Sequence, residues 1–369
     1  MVVEPISLNP FSQYELPFVS SDSMVACEGQ PKFTNKELDR LLNEYLVSSK
    51  FLGVSLGVFL SGCDDYTGSG GLRNKKHRLK MKTSTSLRIA SVTKPMTAIA
   101  IMQLFEQELL ELDVPIKHYL PYLPKTSVGD ITIRQLLGHT SGLRHYSSLW
   151  EAMSFTNYGT LSGSLNEFIF DPLNFKSGTR YEYSSYGYTV LGAIIEELSG
   201  ETYEEYMRAN IWGVAGMTNT GLDKLKGDKN SGHYLKLGSL FVRSPHTDLS
   251  IIYPAGGVQS TAEDLLKFGG AILENKLISR ETLEIMLDVE EPLSVKIGDS
   301  PYGLGWTVLD SSKYGRFIVH SGSQPGAESF FTIYLDKPAV IAVLSNAYSS
   351  GNEAYLLSRD IANAILKDD

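Results

Sequence analysis

Short β-rich runs lie at both ends of this 369-residue chain, and helical patterns fill most of the stretch between them. One run covers 53–60, and four more lie in the last third, each bounded by turn residues as strands usually are. The four later runs are 302–309, 317–320, 329–335 and 340–344. Strands at the two ends with helices between them predict an α+β fold, in which both ends build one mostly antiparallel sheet flanked by helices.

The sheet prediction divides the chain into two parts. At about 150 residues per domain, a chain of this length is expected to form two or three units. We expect a discontinuous sheet domain over 1–103 and 251–369, with 1–31 as an irregular arm, and an all-helical domain over 104–250. Within the helical part, the polar stretch 219–250 is predicted to be loop. A functional site is expected between the two parts, because pockets commonly form at domain boundaries.

Local signals place several element ends. Thr34 and Glu37 form a capping-box pattern at the start of a first helix. A helix over 186–198 is predicted to stop at Gly200. The glycine-rich piece 68–71 lacks the Lys-Ser/Thr ending of a phosphate-binding loop and is predicted to be a hairpin turn. The other predicted elements are a strand over 87–90 and helices over 91–105, 262–273 and the C-terminal end.

The charge of the chain excludes some partners. Lys plus Arg is 33 and Asp plus Glu is 42, a net charge of −9, which disfavours binding to nucleic acid or to an acidic membrane surface.

No apolar stretch approaches the ~18 residues that span a bilayer. Residues 1–31 contain no Lys or Arg and no apolar core of a signal peptide, which predicts a cytoplasmic protein. A secreted form already trimmed of its signal is the alternative.

Cysteine and histidine usage argues against a metal site. The two cysteines, Cys27 and Cys63, are too few for a disulfide scaffold or a cysteine-based zinc site. One bridge between them is the alternative to two unpaired thiols, which are favoured. The seven histidines show no metal-ligand spacing, so no metal or other cofactor is expected.

Ser91 and Lys94 are the first candidates for chemistry. Three residues apart at a predicted helix start, they share one face of the helix. A hydroxyl needs help to lose its proton at neutral pH, and a neighbouring amine supplies it. The helix N-terminus adds N–H groups that favour negative charge on an attacked carbonyl. Taken alone, this common spacing is better explained as an exposed helix cap.

Two further sites are equally modest by themselves. Tyr183 precedes the 186–198 helix, and a tyrosine beside a lysine can act as a general base, although a buried structural tyrosine is the simpler explanation. His320 to Ser323 end a predicted strand, where small residues allow a substrate backbone to approach. An incidental histidine at a strand-to-turn transition explains that stretch as well.

Read together and in order, these segments resemble the serine β-lactamase and penicillin-binding protein superfamily, in its class C-like branch. That branch also contains esterases, D-amino-acid peptidases and the mitochondrial serine β-lactamase-like protease. The resemblance spans about 51–345. Its matching segments are 87–94, 112–115, 133–143, 183–192, 254–265, 302–306 and 320–326.

The resemblance implies a β-lactamase/transpeptidase-like fold and a role for each matching residue. Ser91 is then the acylated nucleophile, and Lys94 lowers its pKa and shuttles its proton. Tyr183 is the general base for the attack and the acid for the leaving group. His320 orients Tyr183 or a substrate carboxylate. The N–H groups of Ser91 and Ser323 form the oxyanion hole. The remaining residues expected at the substrate-binding edge are Ser185, Ser321 and Gly322.

The chain departs from the family pattern at two positions. Position 185 is Ser where many β-lactamases carry Asn, and position 320 is His where Lys is common. Both changes weaken recognition of a penicillin-like carboxylate. We therefore expect a serine hydrolase acting on a small-molecule or peptide substrate through an amide or ester bond. A β-lactamase or D,D-carboxypeptidase and a non-catalytic binding or scaffold homologue are the alternatives, and the oligomeric state stays open.

Overall fold

The computed structural model describes residues 33–123, 127–148, 151, 155–224, 231–245, 247–289 and 301–366. The predicted irregular arm, 1–31, lies outside these residues. The strands are β1 Gly53–Leu60, β2 Tyr66–Asn74, β3 Leu79–Lys80, β4 Leu87–Arg88, β5 Gly221–Leu222, β6 Tyr234–Leu237, β7 Leu240–Arg243, β8 Val258–Ser260, β9 Thr307–Ser311, β10 Gly315–Gln324, β11 Ala327–Tyr334, β12 Ala339–Ser345 and β13 Ala347–Tyr348. The helices are α1 Asn35–Val47, α2 Thr93–Glu106, α3 Ile133–Leu137, α4 Leu161–Ser164, α5 Ser185–Ser199, α6 Tyr203–Met207, α7 Gly213–Ala215, α8 Tyr253–Gly256, α9 Ala262–Leu273, α10 Arg280–Leu287 and α11 Glu353–Ile365.

The largest sheet joins the two ends of the chain. Its seven strands run in the order β3-β2-β1-β12-β11-β10-β9. β1 pairs antiparallel with β12, from Val54 opposite Ser345 to Leu60 opposite Ala339. The other neighbours in this sheet are antiparallel as well. The predicted α+β fold, with one mostly antiparallel sheet built by both ends, is therefore confirmed.

Apolar side chains cover both faces of this sheet. In β12, Ala339, Ile341 and Val343 face the core shared with α1 and α11, while the alternate residues face the larger core shared with α2, α5 and α9. Every residue of β12 is buried, which explains why its sequence is continuously apolar rather than alternating. The sheet is thus the middle of three layers, and its strands β10 and β11 lie beside the helical part.

Helix ends follow the capping signals. The Thr34 hydroxyl accepts a hydrogen bond from the Glu37 N–H at the start of α1. α5 ends at Gly200, whose φ of 72° is the left-handed conformation that glycine adopts without strain. The helix predicted over 262–273 is confirmed as α9. These ends are set by contacts within a few residues, which is why the sequence places them well.

Three element predictions are wrong. The strand predicted over 302–309 begins only at Thr307, as β9. Residues 68–71 lie inside β2 rather than in a hairpin turn. A Cβ at Gly68 would collide with the Tyr66 ring, and one at Gly71 with the Leu52 carbonyl, so these glycines permit close packing within the sheet. The stretch 219–250 is not loop throughout, because its described part contains β5 and the hairpin of β6 and β7.

The expectation of two unpaired thiols is also wrong. Cys63 is disulfide-bonded, and Cys27, the only other cysteine of the chain, lies outside the described residues. Pairing depends on how closely two segments approach in space, which cysteine spacing alone does not reveal. The division into a sheet domain over 1–103 and 251–369 and a second domain over 104–250 stays a prediction, but β5, β6 and β7 show that 104–250 is not all-helical.

Candidate active site

Ser91 lies in a single helical turn, Ala90–Val92, that leads directly into α2. Ala90 has a φ of 47°, a left-handed conformation that costs a residue with a Cβ roughly 1–2 kcal/mol. Two long-range hydrogen bonds hold the preceding residue: the Ile89 N–H donates to Val258 O over 3.0 Å, and the Ser329 hydroxyl donates to Ile89 O over 2.7 Å. The surrounding sheet therefore imposes the bend that leaves Ser91 half-buried at the start of a helix.

Lys94 is completely buried one turn further along α2. Its Nζ lies 3.3 Å from Ser91 Oγ, 3.1 Å from Ser185 Oγ and 2.8 Å from Ala255 O. Burial holds the pKa of this amine well below its ordinary value, which favours the neutral form more than in an exposed lysine. A neutral amine has two N–H donors for Ala255 and Ser185 and one lone pair, which can accept the Ser91 proton.

Tyr183 completes the group predicted from the sequence. Hydrogen bonding to Ser91 lowers the pKa of its phenol, but the larger effect of burial raises that pKa well above the ordinary value. The Lys94 Nζ lies 4.8 Å from the centroid of the Tyr183 ring. The hydroxyl, the amine and the phenol from distant parts of the chain are therefore gathered at one place, with the phenol protonated at neutral pH.

Two histidines hold the segment that carries Tyr183. The Ser184 N–H donates to Nδ1 of His139 over 3.2 Å, and the Ser185 N–H donates to Nδ1 of His145 over 3.2 Å. The His139 ring also lies 4.3 Å from the Tyr183 ring, centroid to centroid. Residues 183–185 are thus fixed from the loop after α3 as well as by the start of α5.

His320 is buried on β10 and contacts a different tyrosine. Its Nδ1 lies 2.7 Å from Ser321 O, and its Nε2 lies 3.0 Å from the Tyr302 hydroxyl. A carbonyl only accepts, so Nδ1 carries the proton and Nε2 accepts from Tyr302. Burial, together with the nearby Lys94, lowers the pKa of His320 to about 3. The imidazole is therefore neutral at neutral pH and offers no cation to a substrate carboxylate.

The end of β10 lies against the turn that carries Ser91. β9 pairs with β10 only as far as Val319, so 320–324 form an open edge of the sheet among the described residues. A Cβ at Gly322 would collide with Ile89 O and would lie 3.2 Å from the Ala90 Cβ. The side chains of Ser321 and Ser323 are exposed. This close approach brings the backbone around Ser323 to the same cleft as Ser91.

Three residues near this site were not singled out from the sequence. Tyr302 separates His320 from His139, whose ring centroid lies 4.8 Å from that of Tyr302. Arg88 and Asp223 form a buried ion pair, Nε to Oδ2, of 2.5 Å. An arginine in the apolar run that precedes Ser91 was the available signal, since charged residues are rarely buried without a partner.

The described residues hold no group of three or more His, Cys, Asp or Glu side chains arranged to bind a metal ion. None of the helices in the part of the chain described here has the length and apolar character to cross a membrane.

The geometry and the sequence agree with one family. The family model Beta-lactamase matches residues 38–364, so the chain belongs to the β-lactamase family. Most members of this superfamily are serine hydrolases that act by acyl transfer, and some are non-catalytic. The resemblance inferred from seven short segments is confirmed.

Relatives with curated descriptions are penicillin-binding proteins and similar proteins. Penicillin-binding protein 4* of Bacillus subtilis is 28% identical over 306 residues, which cover 76% of this chain and 65% of that protein. The putative penicillin-binding protein PbpX of the same organism is 30% identical, covering 84% of this chain and 75% of that protein. The human mitochondrial serine beta-lactamase-like protein LACTB is 26% identical over 76% of this chain and 68% of its own length. The chain thus spans about two thirds of the length of these relatives.

Solved structures share the fold over most of the chain. A penicillin-binding protein from Bacillus halodurans superposes with a TM-score of 0.76 at 25% identity, covering 88% of this chain and 99% of that one. The octameric penicillin-binding protein homologue from Pyrococcus abyssi gives a TM-score of 0.77 at 26% identity, covering 90% and 78%. A D-amino acid amidase from Ochrobactrum anthropi SV3 also gives 0.77, covering 90% and 97%, and at 23% identity it shows the fold alone.

Proposed function

We propose that this protein is a serine hydrolase that transfers an acyl group through a covalent acyl-Ser91 intermediate. The observation that carries the proposal is the position of the Ser91 hydroxyl between a buried amine and a phenol. A desolvated lysine beside a serine at a helix start is a costly arrangement for a purely structural protein, because no carboxylate among the described residues forms an ion pair with the buried amine.

The protonation states of Lys94 and Tyr183 suggest the order of the reaction steps. The neutral Lys94 accepts the Ser91 proton while Oγ attacks the carbonyl carbon of the substrate. The N–H groups of Ser91 and Ser323 donate to the oxygen that gains negative charge. Tyr183, which is protonated, donates its O–H proton to the leaving group, and the proton on Lys94 then restores the phenol. Water attacks the acyl-enzyme in the reverse sense and releases the acid.

Tyr183 therefore keeps one of the two roles that the resemblance implies. The resemblance assigns to Tyr183 both the general base for the attack and the acid for the leaving group. Burial raises the pKa of this phenol and lowers that of Lys94, which favours the amine as the base for the first proton transfer. Tyr183 serves in this scheme as the acid for the leaving group.

The substrate is an uncharged amide or ester rather than a penicillin-like carboxylate. His320 is neutral, with Nε2 engaged by Tyr302. The Ser185 hydroxyl is engaged by Lys94, so it is less available to a substrate amide than the Asn of many β-lactamases. A β-lactamase or D,D-carboxypeptidase binds a free carboxylate, which a neutral imidazole does not pair with.

Intact-mass measurement after incubation with a fluorophosphonate tests the acyl-serine step. The wild type gains one adduct and Ser91→Ala gains none. Ser61→Ala, which changes an exposed serine outside the site, serves as the matched control and keeps the adduct. An unmodified wild type overturns the proposal and favours a non-catalytic homologue.

A substrate panel tests the preference for uncharged acyl compounds. Turnover of a p-nitrophenyl ester and of a blocked peptide amide is compared with that of a chromogenic cephalosporin. We expect kcat/KM for the cephalosporin to be at least about 100-fold below that for the ester, since a missing charge partner costs several kcal/mol at a desolvated site. Comparable values contradict the assignment and favour a β-lactamase.

The disulfide at Cys63 supports a location outside the reducing cytoplasm. Disulfides persist in oxidising compartments and are rare in the cytosol. We therefore propose an oxidising compartment in place of the cytoplasmic location predicted from the sequence. Protein isolated from its own cells with the thiols trapped by alkylation, then denatured without reductant, should show no free thiol at Cys63. A reactive Cys63 thiol refutes this location.

A further inference from the structure

Arg88 is a buried arginine three residues before Ser91, with a side chain that is 1% exposed. A guanidinium in such a place is tolerated only when its charge is paired and its N–H groups are satisfied. Burial lowers the pKa of Arg88 and the carboxylate of Asp223 opposes that effect. The mechanism proposed above does not use this group, so its place beside the nucleophile needs an explanation.

The small sheet of β4, β8 and β5 brings the pair together. Arg88 lies opposite Gln259, and Gly221 pairs with the same Gln259 from the other side. Asp223 follows β5, where its N–H donates to Gly257 O over 2.8 Å. Gln259 donates to Asp223 Oδ1 over 2.7 Å, while Arg88 Nε donates to Oδ2 over 2.5 Å. Gln259 therefore holds one oxygen of the carboxylate, and Arg88 holds the other.

The other nitrogens of Arg88 reach two further segments. Nη1 donates to the Thr247 hydroxyl over 2.9 Å, and Nη2 donates to the Thr247 carbonyl over 3.3 Å. Nη1 also donates to Pro325 O over 3.3 Å. Pro325 comes two residues after Ser323, and Thr247 leads into the segment whose Ala255 carbonyl accepts from Lys94.

One guanidinium thus joins the strand that precedes Ser91 to the loop at Thr247 and to Pro325, just beyond Ser323. Arg88 itself is covalently close to the Ser91 N–H, and its bond to Pro325 restrains the strand end that carries the Ser323 N–H. The two donors proposed for the oxyanion come from different elements, Ser91 from the turn Ala90–Val92 and Ser323 from the end of β10. They can bind one oxygen together only if the distance between them is right. The planar guanidinium of Arg88, with its five N–H donors in fixed directions, can restrain the distance between the two donors.

We propose that the Arg88–Asp223 pair is a positioning unit that sets the distance between the two halves of the oxyanion hole. This inference rests on the proposed acyl-transfer function. Arg88 touches no reacting atom, so its effect is on where the Ser91 and Ser323 backbone groups lie. Arg88→Lys keeps the charge but loses the fork, and the bonds to Thr247 and Pro325 cannot all be remade by one ammonium.

The test compares Arg88→Lys and Asp223→Asn with Leu357→Ala. Leu357 is buried on α11 in the core on the far side of the sheet, so its truncation destabilises the fold without touching the site. Acylation of Ser91 by a fluorophosphonate is followed well below the melting temperature of every variant, separating the apparent binding constant from the maximal rate. We expect the maximal rate of Arg88→Lys to fall about 10–100-fold, as for a misplacement on the ångström scale, with binding changed less than about threefold.

Hydrogen exchange supplies a readout that does not depend on activity. In Arg88→Lys, amides of 89–92 and 320–326 should exchange faster together, while Leu357→Ala should leave both segments close to wild type. If Arg88→Lys does not fold, Thr247→Val removes one hydroxyl contact and is measured in the same way. Equal acylation rates in Arg88→Lys and Leu357→Ala, or unchanged exchange at 320–326, overturn the inference. A wild type that is never acylated overturns the proposed function instead, and exchange alone then decides whether Arg88 couples the two segments.

Discussion

Substitution of Gly322 by Ala tests the close approach between β10 and the Ser91 turn. An added Cβ would lie closer than 3.0 Å to both Ile89 O and the Ser329 hydroxyl, a separation that real Cβ atoms essentially never show. Neither neighbour yields easily. Ile89 O is a backbone atom next to the strained Ala90, and Ser329 Oγ is held by its 2.7 Å bond to the same carbonyl. The turn must therefore move away from the strand.

The size of the effect follows from these contacts. Overpacking of this kind costs about 1–3 kcal/mol, and loss of the Ser329–Ile89 hydrogen bond adds about 1 kcal/mol. We expect the free energy of unfolding to fall by roughly 2–4 kcal/mol. Displacement of Ser91 from Ser323 by a sizeable fraction of an ångström should slow acylation about 10–100-fold.

Urea unfolding and the rate of fluorophosphonate labelling measure the two effects. Gly270→Ala is the matched control, because it adds the same methyl group to α9 where nothing lies within 4 Å. That control should be as stable as wild type or slightly more stable, since alanine favours a helix. A Gly322→Ala protein that labels within about threefold of wild type and unfolds at the same urea concentration would refute the described contact, because a Cβ would then fit without displacing Ser91.

Three shorter predictions concern the titrating groups. Lys94→Arg should lower the rate of Ser91 labelling by at least about 100-fold, because an arginine stays protonated and cannot accept the Ser91 proton. The wild-type rate should fall at low pH, where Lys94 becomes protonated despite its lowered pKa; a Lys94→Arg rate within about threefold of wild type contradicts the role of this amine. Tyr183→Phe should slow hydrolysis of a peptide amide more than that of an activated ester by at least about tenfold, because only the amide needs a proton on its leaving group; equal losses argue against the acid role. The pKa of His320 is about 3 in the folded protein against an ordinary value of 6.5, so the unfolded chain binds the proton first and stability is lost as pH falls below about 6.5, by up to about 1.4 kcal/mol per pH unit. Urea unfolding at pH 7 and pH 5 should therefore show a smaller loss for His320→Gln than for wild type, and parallel losses count against a buried neutral imidazole.

Signals that act over a few residues predicted much of the fold. The capping hydroxyl of Thr34, the left-handed Gly200 and the apolar run at β12 each determine an element through local contacts. The glycines of β2 led to a wrong prediction of a turn, because glycine is common both in turns and where another part of the protein approaches the backbone closely. What distinguishes the two is the neighbour that a Cβ would meet, and Leu52 and Tyr66 become that neighbour only when the sheet forms.

The residues of the candidate site also fall into two groups, those that the sequence indicates and those that only the folded structure brings together. Ser91, Lys94 and Tyr183 occur in segments whose order resembles a known family, and the structure brings them together. The role of His320 depends on Tyr302, and the burial of Arg88 depends on Asp223, which is 135 residues away. No spacing in the sequence indicates a contact between residues so far apart. Arg88 and Asp223 can be recognised as partners only once the segments that carry them are adjacent in the fold.

The pairing of β1 with β12 has a consequence for how this protein is made. Val54 pairs with Ser345, which is 291 residues further along the chain (345 − 54 = 291). The strand pair can therefore form only after those residues have been synthesised. Synthesis at about 5–20 residues per second delays this closure by many seconds. Ser323 is synthesised 232 residues after Ser91 (323 − 91 = 232), so the nascent chain carries Ser91 before it carries the residue proposed to complete the oxyanion hole. The acyl transfer proposed for this site therefore cannot begin until the segment that carries Ser323 has been synthesised and paired.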